Sequence, residues 1–126
     1  MLERDAAARA LGIELVETGA GSATVRMTVR PDMLNGHGTC HGGMMFMLAD
    51  TAFAIACNSH GDPTVAAAAA IEFIAPAHEG ATLTATAREQ IRQGRNGVYD
   101  IEVRTDDGTV VALFRGRSRT IGGSGR

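Results

Sequence analysis

The sequence contains no lysine, and all twelve of its basic residues are arginine. Every mechanism that needs a lysine amine is therefore excluded, including Schiff-base chemistry, a P-loop lysine and a lysine general base. Cysteine is scarce as well: Cys40 and Cys57 are too few for a disulfide framework. The opening MLERDAAARALG lacks the apolar stretch of a signal peptide. The longest apolar run falls short of the ~18 residues of a membrane span and is interrupted by Asp50. Together these absences describe a cytoplasmic protein with reduced thiols. A net charge of -2 argues against a nucleic-acid binder or a polybasic membrane module. There is no G-x-S-x-G motif, which removes an α/β-hydrolase. His37 stands where a covalent haem motif needs its first cysteine.

What remains is a chain of 126 residues, 44% hydrophobic and 21% charged, enough for one ordinary core. The expected layout is a single domain over 1–121 and a flexible GGSGR tail over 122–126. Residues 2 to 11 read as a short helix stopped by Gly12. A weak strand over 13–18 follows. SATVRMTV then alternates, with Val25, Met27 and Val29 on one face, as a half-buried strand does. Residues 32–41 form a loop, and helix is expected from Gly42 to Asn58. After the break at His60-Gly61-Asp62-Pro63 the chain turns strand-like. TVAAAAAIEFIAP is read as strand on the strength of Ile71, Phe73 and Ile74, because alanine alone has weak strand propensity. ATLTATA and GVYDIEVRT alternate, Asp106-Asp107-Gly108 signals a hairpin, and TVVALFRGRSRTI is the last strand. Without a βαβ repeat, a doubly wound fold is unsupported. The expected class is α+β, with one long helix against a curved antiparallel sheet and a short N-terminal helix.

The central helix poses the functional question. From Met44 to Cys57 it is apolar on all sides except for Thr51 and one acid, Asp50. Such a helix must be wrapped, and one sheet covers one side only, so a second subunit is expected on the other. A buried carboxylate is unfavourable unless paired, and no cation stands within one helical turn of Asp50. Either a distant arginine or backbone donors satisfy it, or it is a general base or nucleophile with a raised pKa. Ahead of it, HGG at 41–43 places two glycines at a helix start, where open N–H groups favour an oxyanion. Gly42 can thus polarise a carbonyl. Gly42 and Asp50 are eight residues apart, about 12 Å along a helix. They can serve one carbonyl only across a two-fold axis, which again predicts a dimer with two composite sites.

The other candidates are weaker. His37, Cys40 and His41 do not have zinc spacing. Cys40 has no base placed to activate it, since His41 is its immediate neighbour. His60 and His78 read as surface loop residues, and Met44, Met45 and Met47 as adaptable core. RQGRNG at 92–97 is a tight turn or a phosphate contact through Arg95. Arg115, Arg117 and Arg119 share one strand face, solvated or phosphate-binding.

MLNGHGTCHGG, LADTAFAIACNS, GVYDIEV and ALFRGRSRTIGG together resemble the hotdog-fold acyl-CoA thioesterases of the phenylacetic-acid-degradation type, in order over nearly the whole chain. The resemblance implies a hotdog fold, side-by-side dimers that pair into tetramers, and hydrolysis of phenylacetyl-CoA or its ring-hydroxylated relatives. It implies no metal and no cofactor beyond the CoA of the substrate. It gives Asp50 the thioester chemistry, with Gly42 of the partner chain polarising the carbonyl. Asn35, His41 and Thr51 support that site. The acyl group would meet Gly43, Phe46, Phe53, Phe73, Ala67 and Ala69, the small VAAAAAIEF side chains leaving room for an aryl ring. CoA would lie along Arg92, Gly94, Arg95, Asn96, Arg117 and Arg119. Two other classes stay open: an enoyl-CoA hydratase or dehydratase using His41, and a non-catalytic acyl-CoA-binding protein.

Overall fold

The computed structural model describes residues 1–123; the last three residues of the expected tail, 124–126, lie outside them. The N-terminal segment is not one helix. A 3₁₀ turn, Leu2–Arg4, stops at Asp5, and helix α1 then runs Ala6–Ala10. Asp5 takes an extended ψ of 90°, and its carboxylate accepts from the Ala8 N–H at 3.1 Å. An acid that caps the next turn competes with continuing the helix through itself, which is why the segment breaks there.

Strands β1 (Glu14–Gly19) and β2 (Ser22–Thr28) form a hairpin, and helix α2 (Gly42–Cys57) follows after a loop. The chain ends with β3 (Thr64–Phe73), β4 (Thr82–Gln93), β5 (Asn96–Arg104) and β6 (Val110–Thr120). All six strands form one antiparallel sheet in the order β1-β2-β4-β5-β6-β3. Strand alternation sets which face is buried. Ala23, Val25 and Met27 of β2 point inward, as do Leu83, Ala85 and Ala87 of β4 and Tyr99, Ile101 and Val103 of β5. They meet Met45, Leu48, Ala49, Ala52, Phe53 and Ala56 of α2, which lies chiefly on β2, β4 and β5.

β4 extends six residues beyond the expected ATLTATA, through REQIRQ, a stretch without an apolar face. It is held as a strand by the β5 ladder, closed by the pair Gln93↔Asn96. The connecting turn is Gly94-Arg95, with Gly94 at φ 61° and Arg95 at negative φ. Glycine first in a two-residue hairpin turn fits the right-handed twist of the strands.

α2 crosses the sheet and delivers the chain to the far edge. Asn58 fixes that delivery: its amide donates to Ala54 O at 2.8 Å and Thr64 O at 3.0 Å, and its carbonyl oxygen accepts from Thr64 N. β3 then pairs with β6 alone. The alanine run is strand, as its β-branched end indicated, although none of its residues is buried. Its register slips between Ala66 and Ala68, so Ala67 stands out of the ladder as a bulge.

Phe53 lies over Gly116 of β6, and an added Cβ there would fall 2.6 Å from the ring. Gly116 does not have a left-handed φ, so its glycine serves this close approach. Gly116→Ala is expected to destabilise the fold by about 1–3 kcal/mol through overpacking, read as a lower urea midpoint at unchanged m. An unshifted midpoint would mean that Phe53 moves aside at no cost.

Candidate active site

The start of α2 is organised by its own loop. Asn35 accepts from the N–H groups of His37 and Thr39 at 2.9 and 3.2 Å and exchanges a side-chain bond with the Thr39 hydroxyl, which closes the 35–39 turn. Cys40 N donates to Ala77 O and His41 N to Met33 O, both at 2.8 Å. His41 is thereby set as the helix N-cap, at φ -61° and ψ 135°. Its Nδ1 accepts from the Gly43 N–H at 3.1 Å, and its carbonyl accepts from Met44 and Met45. With Nδ1 as acceptor, the neutral ring carries its proton on Nε2. The Gly43 N–H is therefore engaged, whereas the Gly42 N–H has no partner among the described residues. One donor is left free at the positive end of a four-turn helix.

That donor opens on a cleft of about 470 Å³ lined by residues of the 35–42 loop, Met45 and the end of β3, including Asn35, Gly42, Phe73 and Ile74. The size is ordinary for a small-ligand site. Asn35, Gly42 and Phe73 are thus brought together, and Met45 and the Ile74-Ala75-Pro76 wall are additional lining that the sequence pattern does not reveal.

Asp50 is not in this cleft. It stands two turns further along α2, partly buried, on an open stripe shared with Gly43, Met47 and Ala54. Among the described residues it accepts no hydrogen bond and forms no ion pair, whereas the other partly buried acids, Asp5, Asp62, Glu89 and Asp100, all have partners. Burial raises its pKa, and the nearby charge of Asp5 adds to the rise. Its neighbours on the helix fix its outlook. Phe46, one turn before it, packs edge-on against Phe114 at 5.1 Å, and Phe53 lies on Gly116. Phe114 and Gly116 pair with Ile71 and Ala69 of β3, so this part of α2 looks toward the alanine edge.

Several expected site residues have other duties. Thr51 is buried and its hydroxyl donates to Met47 O at 2.7 Å, the usual back-bond of a mid-helix threonine. Phe53 is 1% exposed, in a cluster with Tyr99 and Phe114, and lines the core rather than a surface site. Phe46, 36% exposed, keeps a free side. Ala67 and Ala69 are exposed, and Ala69 shares the inward-facing side of β3 with Ile71 and Phe73.

The arginine group divides. Arg115 is held by Asp100 through two bonds of 2.6 and 2.7 Å, and so leaves the free set. Arg117 donates to Asn96 at 3.3 Å, and Arg119 faces Asn96 across the ladder without an ion pair among the described residues. Arg95 bonds Thr120 O at 3.3 Å. The 93–96 turn and the end of β6 thus bring Gly94, Arg95, Asn96, Arg117 and Arg119 together, with exposed Arg92 on the adjoining strand.

Both cysteines are free and buried. Burial raises the Cys40 thiol and pushes Cys57 up to about 11, so neither is a thiolate at neutral pH. His60 does stand in a turn, but it is partly buried and has a partner. Its Nε2 lies 2.7 Å from Glu89, whose same oxygen accepts from the buried Tyr99 hydroxyl at 2.7 Å. Burial would raise the Glu89 pKa, but these two bonds hold it below the ordinary value. Alternation turns Tyr99 inward with Ile101 and Val103, and a buried phenol needs a partner; which residue supplies it depends on tertiary contacts.

The Thioesterase superfamily family model matches residues 37–112. The chain is 53% identical to an Escherichia coli (strain K12) protein named acyl-coenzyme A thioesterase PaaI, over 98% of this chain and 89% of that one. The solved structure of E. coli PaaI, described as coming from the phenylacetic acid degradation operon, superposes with a TM-score of 0.96 at 54% identity, again covering 98% and 89% of the two chains. The TT0310 protein of Thermus thermophilus superposes with a TM-score of 0.90 at 40% identity, covering 94% and 99%.

An acid whose pKa is raised by folding binds its proton more tightly in the folded state, so its ionisation works against folding. Asp50→Asn is therefore expected to raise Tm at neutral pH, with the gain shrinking as pH falls through the raised folded pKa and gone below the ordinary aspartate range. A variant that melts lower than wild type at pH 7 would reveal a stabilising partner for the carboxylate.

Proposed function

Since this chain belongs to the Thioesterase superfamily, a family of hotdog-fold thioester hydrolases, we propose that it hydrolyses acyl-CoA thioesters of the arylacetyl class, phenylacetyl-CoA or its ring-hydroxylated relatives. The observation that carries the mechanism is Asp50, a half-buried carboxylate without a partner among the described residues, on an otherwise apolar helix. In this reading the thioester oxygen accepts from the Gly42 N–H of one copy while Asp50 of a second copy faces the carbonyl carbon. Asp50 takes a proton from water, which attacks that carbon. The resulting oxyanion rests on the Gly42 N–H, the C–S bond breaks, and CoA leaves as a thiol on regaining the proton. Attack by the carboxylate itself, giving a mixed anhydride that water then opens, uses the same groups. Neither route calls on a metal or cofactor.

Two features favour a dimer in this reading. Gly42 and Asp50 lie about 12 Å apart in one chain, too far for one carbonyl. The β3 edge and the open stripe of α2 both leave apolar surface uncovered, which a second copy would bury. Pairing of dimers into tetramers, and residence in the cytoplasm, belong to the same proposal. CoA phosphates would sit on Arg92, Arg95, Arg117 and Arg119, with Asn96 and the Gly94 turn beside them. The aryl ring would lie toward Ala69 and Phe46. A hydratase would need a histidine free to move a proton at the substrate, and His41 already spends Nδ1 on Gly43.

Released thiol, followed over a panel of acyl-CoA esters, is expected to be greatest for arylacetyl-CoA, with Asp50→Asn lowering kcat by about 100-fold or more. An active Asp50→Asn enzyme would make Asp50 structural. The composite site has its own check. Gly42→Pro removes the free N–H at a first helical position whose backbone accepts proline, and the contact of its Cβ with Phe73 falls in the same, already disabled, half-site. Equal co-assembly of Asp50→Asn and Gly42→Pro chains should restore about a quarter of wild-type activity, because half the dimers are mixed and each mixed dimer has one intact site. No recovery would place both groups of each site in a single chain.

A further inference from the structure

We propose that Phe73 is the residue that positions the Gly42 N–H and selects the acyl group, by closing one side of the cleft over that donor; this rests on the thioesterase reading above. The last residue of β3, Phe73 is pinned by its ladder pair with Ala112, and the chain turns away directly after it as Ile74 and Ala75 share Val111 O. The tip of its ring lies on Gly42. A Cβ added at residue 42 would fall 2.8 Å from Cζ, 3.0 Å from Cε1 and 3.4 Å from Cε2. Gly42 does not have a left-handed φ, so helix geometry would accept any side chain there. Any side chain at position 42 therefore has to displace the tip of the Phe73 ring, the nearest group to it.

Gly116 and Gly97 also stand at close contacts, but the rings they face, Phe53 and Tyr99, are buried in the core. Phe73 is different: it is 56% exposed and is one of the residues lining the cleft. An exposed phenyl ring adds little to the core, yet here it stands against the uncapped N–H of α2. It shields that donor from water on one side, and a hydrogen bond to an oxyanion is stronger where water is excluded. A carbonyl oxygen seated on Gly42 brings the attached acyl group against the same ring. A flat aromatic acyl group gains ring-to-ring contact that a straight chain does not. The ring therefore discriminates between acyl groups at the atom where the chemistry occurs.

The test is a double-mutant cycle of wild type, Gly42→Ala, Phe73→Ala and the double variant, each measured for kcat, KM and Tm with phenylacetyl-CoA and hexanoyl-CoA. Phe73→Ala is expected to lower kcat/KM for phenylacetyl-CoA by about tenfold relative to hexanoyl-CoA, the scale of one lost aromatic contact. Gly42→Ala alone should lower kcat by about 100-fold as the methyl group and ring displace the donor, with KM little changed. In the Phe73→Ala background the same alanine should cost only a few fold, and its Tm penalty should vanish. Additive effects on kcat and Tm, or unchanged acyl preference in Phe73→Ala, would overturn the proposal. A wild-type enzyme that cleaves no thioester would instead overturn the thioesterase reading, and the Tm cycle alone would still decide whether Phe73 dictates glycine at 42.

Discussion

Helix α2 has apolar residues on every side, and the need to keep them from water governs the structure around it. The sheet satisfies most of that need by curving over Leu48, Ala49, Ala52, Phe53 and Ala56. What it leaves open is a narrow stripe, and Asp50 is the polar group on it. Its raised pKa therefore has the same cause as the packing: wrapping that buries the helix also removes water from the acid. The pKa of the carboxylate and the burial of the helix cannot be adjusted separately.

The helix start works by subtraction. An α-helix presents several unpaired N–H groups at its first turn. Here His41 takes Gly43 with its side chain and Met44 and Met45 with its carbonyl, so that a single donor remains. A cleft with one free donor among the described residues offers one hydrogen bond in one direction, a geometry rather than a general affinity for anions. The Asn35 turn serves the same end by holding the loop that aims His41.

Much of this was legible in the residues. Strict alternation marked the buried faces of β2, β4 and β5, because a half-buried strand has to alternate. The eight-residue spacing of Gly42 and Asp50 was enough to separate them. Other features were hidden for identifiable reasons. The second half of β4, REQIRQ, is a strand only because β5 pairs with it. Asp5 breaks a helix that composition favours, through one local bond to Ala8. The roles of Thr51 and Phe53 depend on how far a side chain sits from the surface, and residues of an all-apolar helix give no sign of which face is open. His60 and Glu89 are 29 residues apart and meet only in the folded sheet. The Gly42–Phe73 contact is of the same kind, since a glycine pair at a helix start reads as loop freedom until the ring above it is located.

β3 is attached to the domain by its ladder with β6 and places no buried residue in the core. Its alanines can therefore be exchanged with little effect on what holds the sheet together, although they stand next to the proposed acyl group. In a lineage of such proteins, substrate preference would be free to drift along this edge while the fold stayed constant. Within one chain, a change on this edge would meet little opposing selection for stability, in contrast to α2, whose buried residues are packed against the sheet.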